Sequence, residues 1–243
     1  MPSVSDDFRA AYDELEARMK RLAEQDECVY LPNVVPSSPV DYAFICMEPS
    51  LKGWARNAHH ARQRVDAGFR NFIVSMQTTV LHFCIRQYLC APTQTYHLTD
   101  ISKGAMEGKR AAIGRRQRYD RWYPLLLQEL EIVAKPEAMI FAVGREVRLH
   151  LMRRGFPRPI TPILHYSPVA ASHRASAIVG REREFEAFRR SVSLAQLVAT
   201  ADEVAPPQLR DETVAQVARR QLSDSLLMLM FTYKLLFENV RSP

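Results

Sequence analysis

The 243-residue chain is 47% hydrophobic and 25% charged, ordinary globular composition with ample material for a real core. Lys+Arg 33 against Asp+Glu 27 leaves a formal charge of +6, which suits either an anionic partner or simply a soluble basic protein. Cys28, Cys46, Cys84 and Cys90 form no CxxC pair, so a disulfide framework, a closed zinc site and a four-thiolate iron–sulfur cluster are all disfavoured, and no cofactor or metal is expected. The first residues carry no signal pattern, and no apolar run reaches the roughly 18 residues that span a bilayer. A reducing cytoplasm, with no membrane, is the expected location.

From Ser5 to about Cys28, Phe8, Tyr12, Leu15, Met19 and Leu22 recur at three- and four-residue steps, predicting an amphipathic helix. Pro32, Pro36 and Pro39 then make an irregular lead-in, and Val40 to Met47 reads as the first buried strand. Glu48 to Arg70 is a long connection rich in arginine, and Phe69 to Tyr88 returns to helical spacing. Thr95 to Ile101 is the second strand. Ser102 to Arg121 is the most basic segment, holding Lys103, Lys109, Arg110, Arg115, Arg116, Arg118 and Arg121. Trp122 to Val133 is helical, Ala138 to Gly144 a third strand, Glu146 to Arg153 a short helix, and Ile160 to Leu164 the fourth strand. Ala175 to about Thr200 is helical. After the Pro206-Pro207 break, Asp211 to Val240 gives one or two helices, with Leu226 to Phe231 apolar nearly all round. Such a helix is buried, against its own domain or against another copy.

Strands alternating with helices predict an α/β protein. The expected architecture is a three-layer α/β/α domain with a four-stranded parallel sheet and extra N- and C-terminal helices. The core spans 40–200, with 1–39 as N-terminal helix and lead-in and 201–243 as a helical extension. Two strand ends draw the chemistry. One is Tyr42 to Met47, followed by Glu48-Pro49-Ser50; the other is Ile163-Leu164, followed by His165-Tyr166-Ser167-Pro168. In α/β proteins reactive groups gather in the crevice at the carboxyl ends of parallel strands. The two ends are expected to face each other and hold one nucleotide.

The stretch His165-Tyr166-Ser167-Pro168-Val169-Ala170-Ala171-Ser172-His173-Arg174 resembles the HPSPLSAHR segment of uracil-DNA glycosylases, with Tyr166 in place of proline and one extra residue in the turn. Met47-Glu48-Pro49-Ser50 stands where that superfamily carries GQDPY, GxNPG or GEAPG, and Leu98 to Lys103 stands where it carries a strand-end asparagine. The resemblance covers roughly Tyr42 to Phe188. It implies a four-stranded parallel sheet and base excision from DNA. The expected partner is uracil-containing DNA, single- or double-stranded, the protein is expected to be a monomer, and the cysteine spacing sets it apart as a divergent member without an iron–sulfur cluster.

Cutting a base from deoxyribose needs charge stabilised at both ends of the breaking bond. A carboxylate stabilises the oxocarbenium-like sugar, and a donor stabilises the leaving base's oxyanion. The resemblance assigns the first role to Glu48 and the second to His165. Met47, Ser50, Asp100 and Phe72 are the base-binding candidates. Serine at position 50 leaves room where the strictest uracil enzymes carry a tyrosine that blocks a C5 methyl, so altered bases are expected to be tolerated. An ionised Asp100 only accepts hydrogen bonds, which calls for a protonated Asp100 or looser base recognition; alternatively it caps the Ser102 turn. Phe72 is the expected stacking partner for a flipped base, competing with Phe69, Trp54 and a plain core role. The resemblance further implies that Ser167 grips phosphates and that Val169 or Ala170 wedges into the vacated stack, and His173 and Arg174 are expected to join Lys103, Arg110, Arg115, Arg116 and Arg118 in contacting DNA. No lysine stands where a Schiff-base mechanism needs one, Lys103 being the nearest, so a monofunctional enzyme is expected. Two rival classes are a non-catalytic binder of uracil or abasic DNA and an interaction module built on the Leu226–Phe237 helix.

Overall fold

The computed structural model describes residues 4–167 and 174–241. The chain divides into two compact units, the first made of Met1–Asn71 with Gln94–Pro162 and the second of Phe72–Thr93 with Ile163–Pro243.

The first unit is built on the parallel sheet. Its strands are β2 (Val40–Cys46), β3 (Tyr96–Asp100), β5 (Ala134–Val143) and β6 (Ile160–Ile163), in the order β3-β2-β5-β6. Strand β2 is central, pairing in parallel with β3 from Tyr42↔Tyr96 to Cys46↔Asp100 and with β5 from Tyr42↔Met139 to Ile45↔Ala142. Its near-continuous apolar run is what a strand buried on both faces requires. Ala43 and Ile45 turn to one face, where they pack with Ile140, Ala142 and with Tyr119, Leu126, Leu130, Val147 and Leu151 of helices α5 (Arg115–Val133) and α6 (Arg145–Arg153). Phe44 alternates to the other face and stacks on Phe141 at 4.5 Å. The sheet with its flanking helices agrees with the three-layer α/β/α class expected from the sequence.

Helix α1 (Val4–Gln25) packs on α5, its Leu15 and Met19 meeting Trp122 and Leu125. Four short elements lie outside the sequence expectation. Val29–Tyr30 (β1) and Gly104–Ala105 (β4) pair antiparallel, and helix α2 (Ala58–Asp66) occupies the long connection, capped by the Asn57 side chain. Position 104 has to be glycine, because a Cβ there would sit 2.2 Å from Cys28 Sγ. A last short helix, α4 (Gly108–Ala112), leads to Gly114, whose left-handed φ of 61° starts α5. Helix α5 therefore begins seven residues before the expected start at Trp122, absorbing Arg115, Arg116, Arg118 and Arg121 of the basic segment.

The second unit is helical. Helix α3 (Met76–Cys84) runs into a wider π turn (Ile85–Leu89) and packs on α8 (Leu194–Val204) and α10 (Asp224–Arg241). Helices α7 (Glu182–Ser191) and α9 (Arg210–Ala218) complete it. The expected single helical stretch after Ala175 is broken at Val192-Ser193, where Ser193 and Gln196 form a capping box for α8. Helix α10 buries Leu227, Leu229, Met230, Phe231, Tyr233 and Phe237, and Phe231 meets Phe185 of α7 edge-on and Phe188 at a tilt, both at 5.4 Å. Its apolar surface is thus covered inside its own unit.

Candidate functional site

The sheet ladder sets the first cluster. After Cys46 it continues by two rungs, Ile101 N–H to Cys46 O (2.9 Å) and Ser102 N–H to Met47 O (3.2 Å). Pro49 has no amide to extend it, so Glu48 leaves the sheet at the carboxyl end of β2. Its side chain is 6% exposed and lies in a nest supplied by α5. Arg115 Nη2 is 2.9 Å from Oε1, Arg118 Nη2 is 3.9 Å from Oε2, and the Tyr119 hydroxyl donates to Oε2. Residues 115, 118, 119 and 122 share one stripe of α5, which is why all four turn inward. Burial, then the Glu48 charge, pushes the Tyr119 phenol well above its ordinary range, so it acts only as a neutral donor.

Asp100, at the end of β3 opposite Cys46, is 2% exposed and accepts from the Asn71 amide at 2.6 Å through Oδ2. Burial raises its carboxyl to about 7, with Glu48 and Glu129 adding to the rise while Lys103 and Asn71 oppose it. A carboxyl titrating there is neutral in about half the molecules at pH 7, the protonated state that base pairing asks of an aspartate. Met47 is half-buried against the α5–α6 core cluster, and Ser50 is exposed, its Oγ accepting from Lys52 N–H at 3.1 Å.

A second charged cluster is built on the other face of β3, where His97 and Thr99 alternate with Asp100. His97, Thr99, Lys103 and Glu129 are all buried. Lys103 Nζ donates to Thr99 Oγ1 (2.5 Å), Asp100 O (2.6 Å) and Glu129 Oε2 (2.6 Å), which uses all three ammonium hydrogens. Glu129 also accepts from Thr99 Oγ1 (2.8 Å) and Asn33 Nδ2 (3.3 Å), and His97 Nε2 lies 3.1 Å from its Oε1. Burial alone would raise this carboxyl; Lys103 and His97 hold it down to about 2.

Three expected DNA contacts are thereby corrected. Lys103 is sealed in the core, 1% exposed, and reaches no solvent. Arg118 is buried and donates to Ala111 O (2.6 Å) and Ile113 O (3.2 Å), tying α4 to α5. Arg174, in the second unit, is buried and donates to the carbonyls of Tyr166 (3.0 Å) and Ser167 (2.7 Å) and to Ser225 Oγ (2.7 Å). In each case a long basic side chain meets acceptors that only folding supplies. Arg110 is exposed and paired with Glu27 at 2.6 Å, Arg116 is exposed, and Arg115 keeps 36% of its side chain accessible.

In the second unit the histidine turn is a braced structure. Tyr233 of α10 donates its hydroxyl to Leu164 O at 2.6 Å, and Arg174 ties the Tyr166 and Ser167 carbonyls to α10 through Ser225. The Ser167 N–H donates to His165 Nδ1 at 2.9 Å. Burial, then the Arg174 charge, lowers the imidazole to about 4, so His165 is neutral near pH 7. With Nδ1 accepting, its single proton is on Nε2. Val169, Ala170 and His173 lie outside the described residues.

Of the aromatic candidates, Phe72 belongs to the second unit and is buried, with a left-handed φ of 63° that a bulky residue adopts only under constraint. His82 Nε2 lies 3.0 Å from its carbonyl. In the first unit Phe69 is buried, with Trp54 stacked at 4.6 Å and the Arg64 guanidinium 4.5 Å from its ring. Trp54 stays half-exposed, pinned by donation of its Nε1–H to Ser50 O (2.5 Å).

Tyr119, Asn71 and Glu129 are the participants that sequence reading missed. For Tyr119 the signal existed: it falls in helical phase with Trp122 once α5 is begun at Arg115. Among the described residues no group of His, Cys, Asp and Glu is placed to hold a metal ion, and no helix is long and apolar enough to cross a membrane. No family model, no curated protein and no solved structure matches the chain.

Proposed function

We propose that the protein is a monofunctional DNA glycosylase that hydrolyses the N-glycosidic bond of uracil, and of C5-altered pyrimidines, in DNA. The observation that carries this reading is the His165 imidazole, neutral and tautomerically fixed by the Ser167 amide so that Nε2–H is its donor. As the glycosidic bond breaks, its electron pair moves onto the base and a carbonyl oxygen gains charge. A preplaced neutral donor stabilises that oxygen without giving up its proton, and loss of one such donor typically costs about 10²–10³ in rate. The Glu48 carboxylate takes the opposite role, stabilising the cationic sugar while water adds at C1′ and the released base takes up a proton. Lys103 supports the monofunctional reading, since all its ammonium hydrogens are committed to Thr99, Asp100 and Glu129 and none is left for imine chemistry. Asp100, neutral below about pH 7, is suited to donate to a base carbonyl.

The test is incubation with single- and double-stranded oligonucleotides carrying uracil or 5-hydroxymethyluracil, followed by alkaline cleavage. Strand scission at both bases is expected, with the rate falling as pH drops through about 4 and His165 becomes charged. Scission at uracil alone would remove the tolerance assigned to Ser50. One observation favours a second reading, a non-catalytic binder: both Glu48 oxygens are engaged, by Arg115 and Tyr119, as a purely structural carboxylate would be. Tight binding of uracil DNA without base release would select it.

A further inference from the structure

Between Pro49 and Asn71, in the first unit, the chain carries five bases, Lys52, Arg56, Arg62, Arg64 and Arg70, against one acid, Asp66. Arg64 and Arg70 are partly buried and donate to the backbone carbonyls of Trp54, Val65 and Phe69. Lys52, Arg56 and Arg62 are exposed, and among the described residues none of the three pairs with a carboxylate.

This basic stretch holds a short aromatic stack. Trp54 lies face to face with Phe69, the centroids 4.6 Å apart and the planes 8° from parallel, and the Arg64 guanidinium sits over the same Phe69 ring at 4.5 Å. Two groups at that distance cannot share one face, so they sandwich the buried Phe69 between them. Trp54 ends the stack. Its inner face rests on Phe69, its Nε1–H is tied to Ser50 O (2.5 Å) and its carbonyl to Arg64 (3.2 Å), yet the residue stays half-exposed. Held by edge and backbone, the indole presents a fixed π surface on its accessible side. Trp122 shows the other fate of a tryptophan in this fold, fully buried and donating to Asp26 at 2.8 Å.

We infer that Trp54 and its flanking cations form a binding surface for single-stranded DNA, an unpaired base stacking on the outer side of the indole while Lys52 and Arg56, two residues away on either side, neutralise adjacent phosphates. Bases on a phosphate backbone call for an immobilised aromatic beside unpaired cations, and stacking suits any base because each has a π face. An acidic peptide would use the cations and leave the ring idle. A membrane would call for apolar neighbours, where Trp54 is flanked by exposed Lys52, Gly53 and Arg56. The surface needs no uracil and no bond cleavage, and so goes beyond base excision.

The experiment is titration of the full-length protein with a single strand of adenine and cytosine nucleotides, read by intrinsic tryptophan fluorescence and by the anisotropy of a label on the strand. Trp122 is buried, so stacking should appear as a saturable quench from Trp54. Trp54→Ala should abolish the quench and weaken binding roughly 5- to 150-fold, the range for loss of one stacked base. Trp54→Phe keeps a ring to stack on and should restore most of the affinity. Lys52→Gln, an exposed change that leaves the stack intact, should flatten the slope of log K against log[salt] by about 0.7. An abasic strand of the same length should bind more weakly and leave the fluorescence unchanged. No binding, binding without a quench, wild-type affinity in Trp54→Ala, an unchanged salt slope in Lys52→Gln, or an abasic strand bound as tightly would each overturn the surface. Base release is read separately on a uracil-bearing strand, and its absence would remove the glycosylase reading while leaving this surface standing.

Discussion

Two of the carboxylates that the first unit buries near the ends of β2 and β3, Glu48 and Glu129, are treated differently. Glu129 is fully enclosed, surrounded by His97 and Thr99 of β3, Lys103 of the turn after it and Asn33 of the segment before β2. Every hydrogen of the Lys103 ammonium is committed, and nothing in that cluster can reach a ligand. Glu48, by contrast, is 6% exposed and gripped by an arginine that is one-third open, beside two guanidinium nitrogens with no partner. Buried charge costs free energy unless it is paired and hydrogen-bonded. The Glu129 cluster meets that condition; in the Glu48 cluster Arg115 Nε and Arg118 Nε have no partner, as Arg174 Nε has none in the second unit.

The contrast can be broken first at Lys103. Lys103→Ala leaves Glu129 charged and uncompensated, and should lower the unfolding free energy by about 3–5 kcal/mol in urea titration. A loss below about 1 kcal/mol would mean that Glu129 is not held as described. Tyr119→Phe removes a charge-assisted bond in the more open cluster and should cost less, about 1.5–3 kcal/mol. Asp100 lies between the clusters and sharpens the comparison through pH. Its folded-state carboxyl is raised from the usual 3.8 to about 7, so its neutral form contributes stability that is full below about 4 and is lost as pH rises through 7. Asp100→Asn should therefore gain stability relative to the parent between pH 4.5 and 7.5; a constant difference across that window would contradict the assignment. Smallest is Arg110→Ala, which breaks only an exposed pair with Glu27 and should move the unfolding free energy by no more than about 1 kcal/mol.

The strands were legible in the sequence because each is a short β-prone run, buried on two faces in β2 and β5, and bounded by turn residues. Helix α2 was not, because Ala58 to Asp66 has one buried residue, Ala61, and hence almost no apolar stripe to read. The Val29–Tyr30 and Gly104–Ala105 pair was invisible for a different reason: two residues carry no periodicity, and their partners lie far apart in the chain. Glu48, Asp100 and His165 could be singled out because strand ends announce themselves. The direction of Lys103, Arg118 and Arg174 could not, since a basic residue in a basic segment gives no hint that a carbonyl or carboxylate awaits it from a distant element. For Arg118 the helical phase with Trp122 was the missed clue. The C-terminal helix reads as buried in the sequence, yet its role in bracing Leu164 and Arg174 through Tyr233 and Ser225 rests on side-chain contacts that no pattern encodes.

The most direct measurement is the single-turnover rate of uracil release from an oligonucleotide by the wild type, Glu48→Gln and His165→Ala, each first shown to unfold at a similar urea concentration. Release by the wild type that falls at least about 10²-fold in both variants is the expected result, in line with the loss of one preplaced transition-state group. Release that persists unchanged in either variant, or is absent from the wild type, would contradict the assignment of Glu48 and His165 to the chemistry.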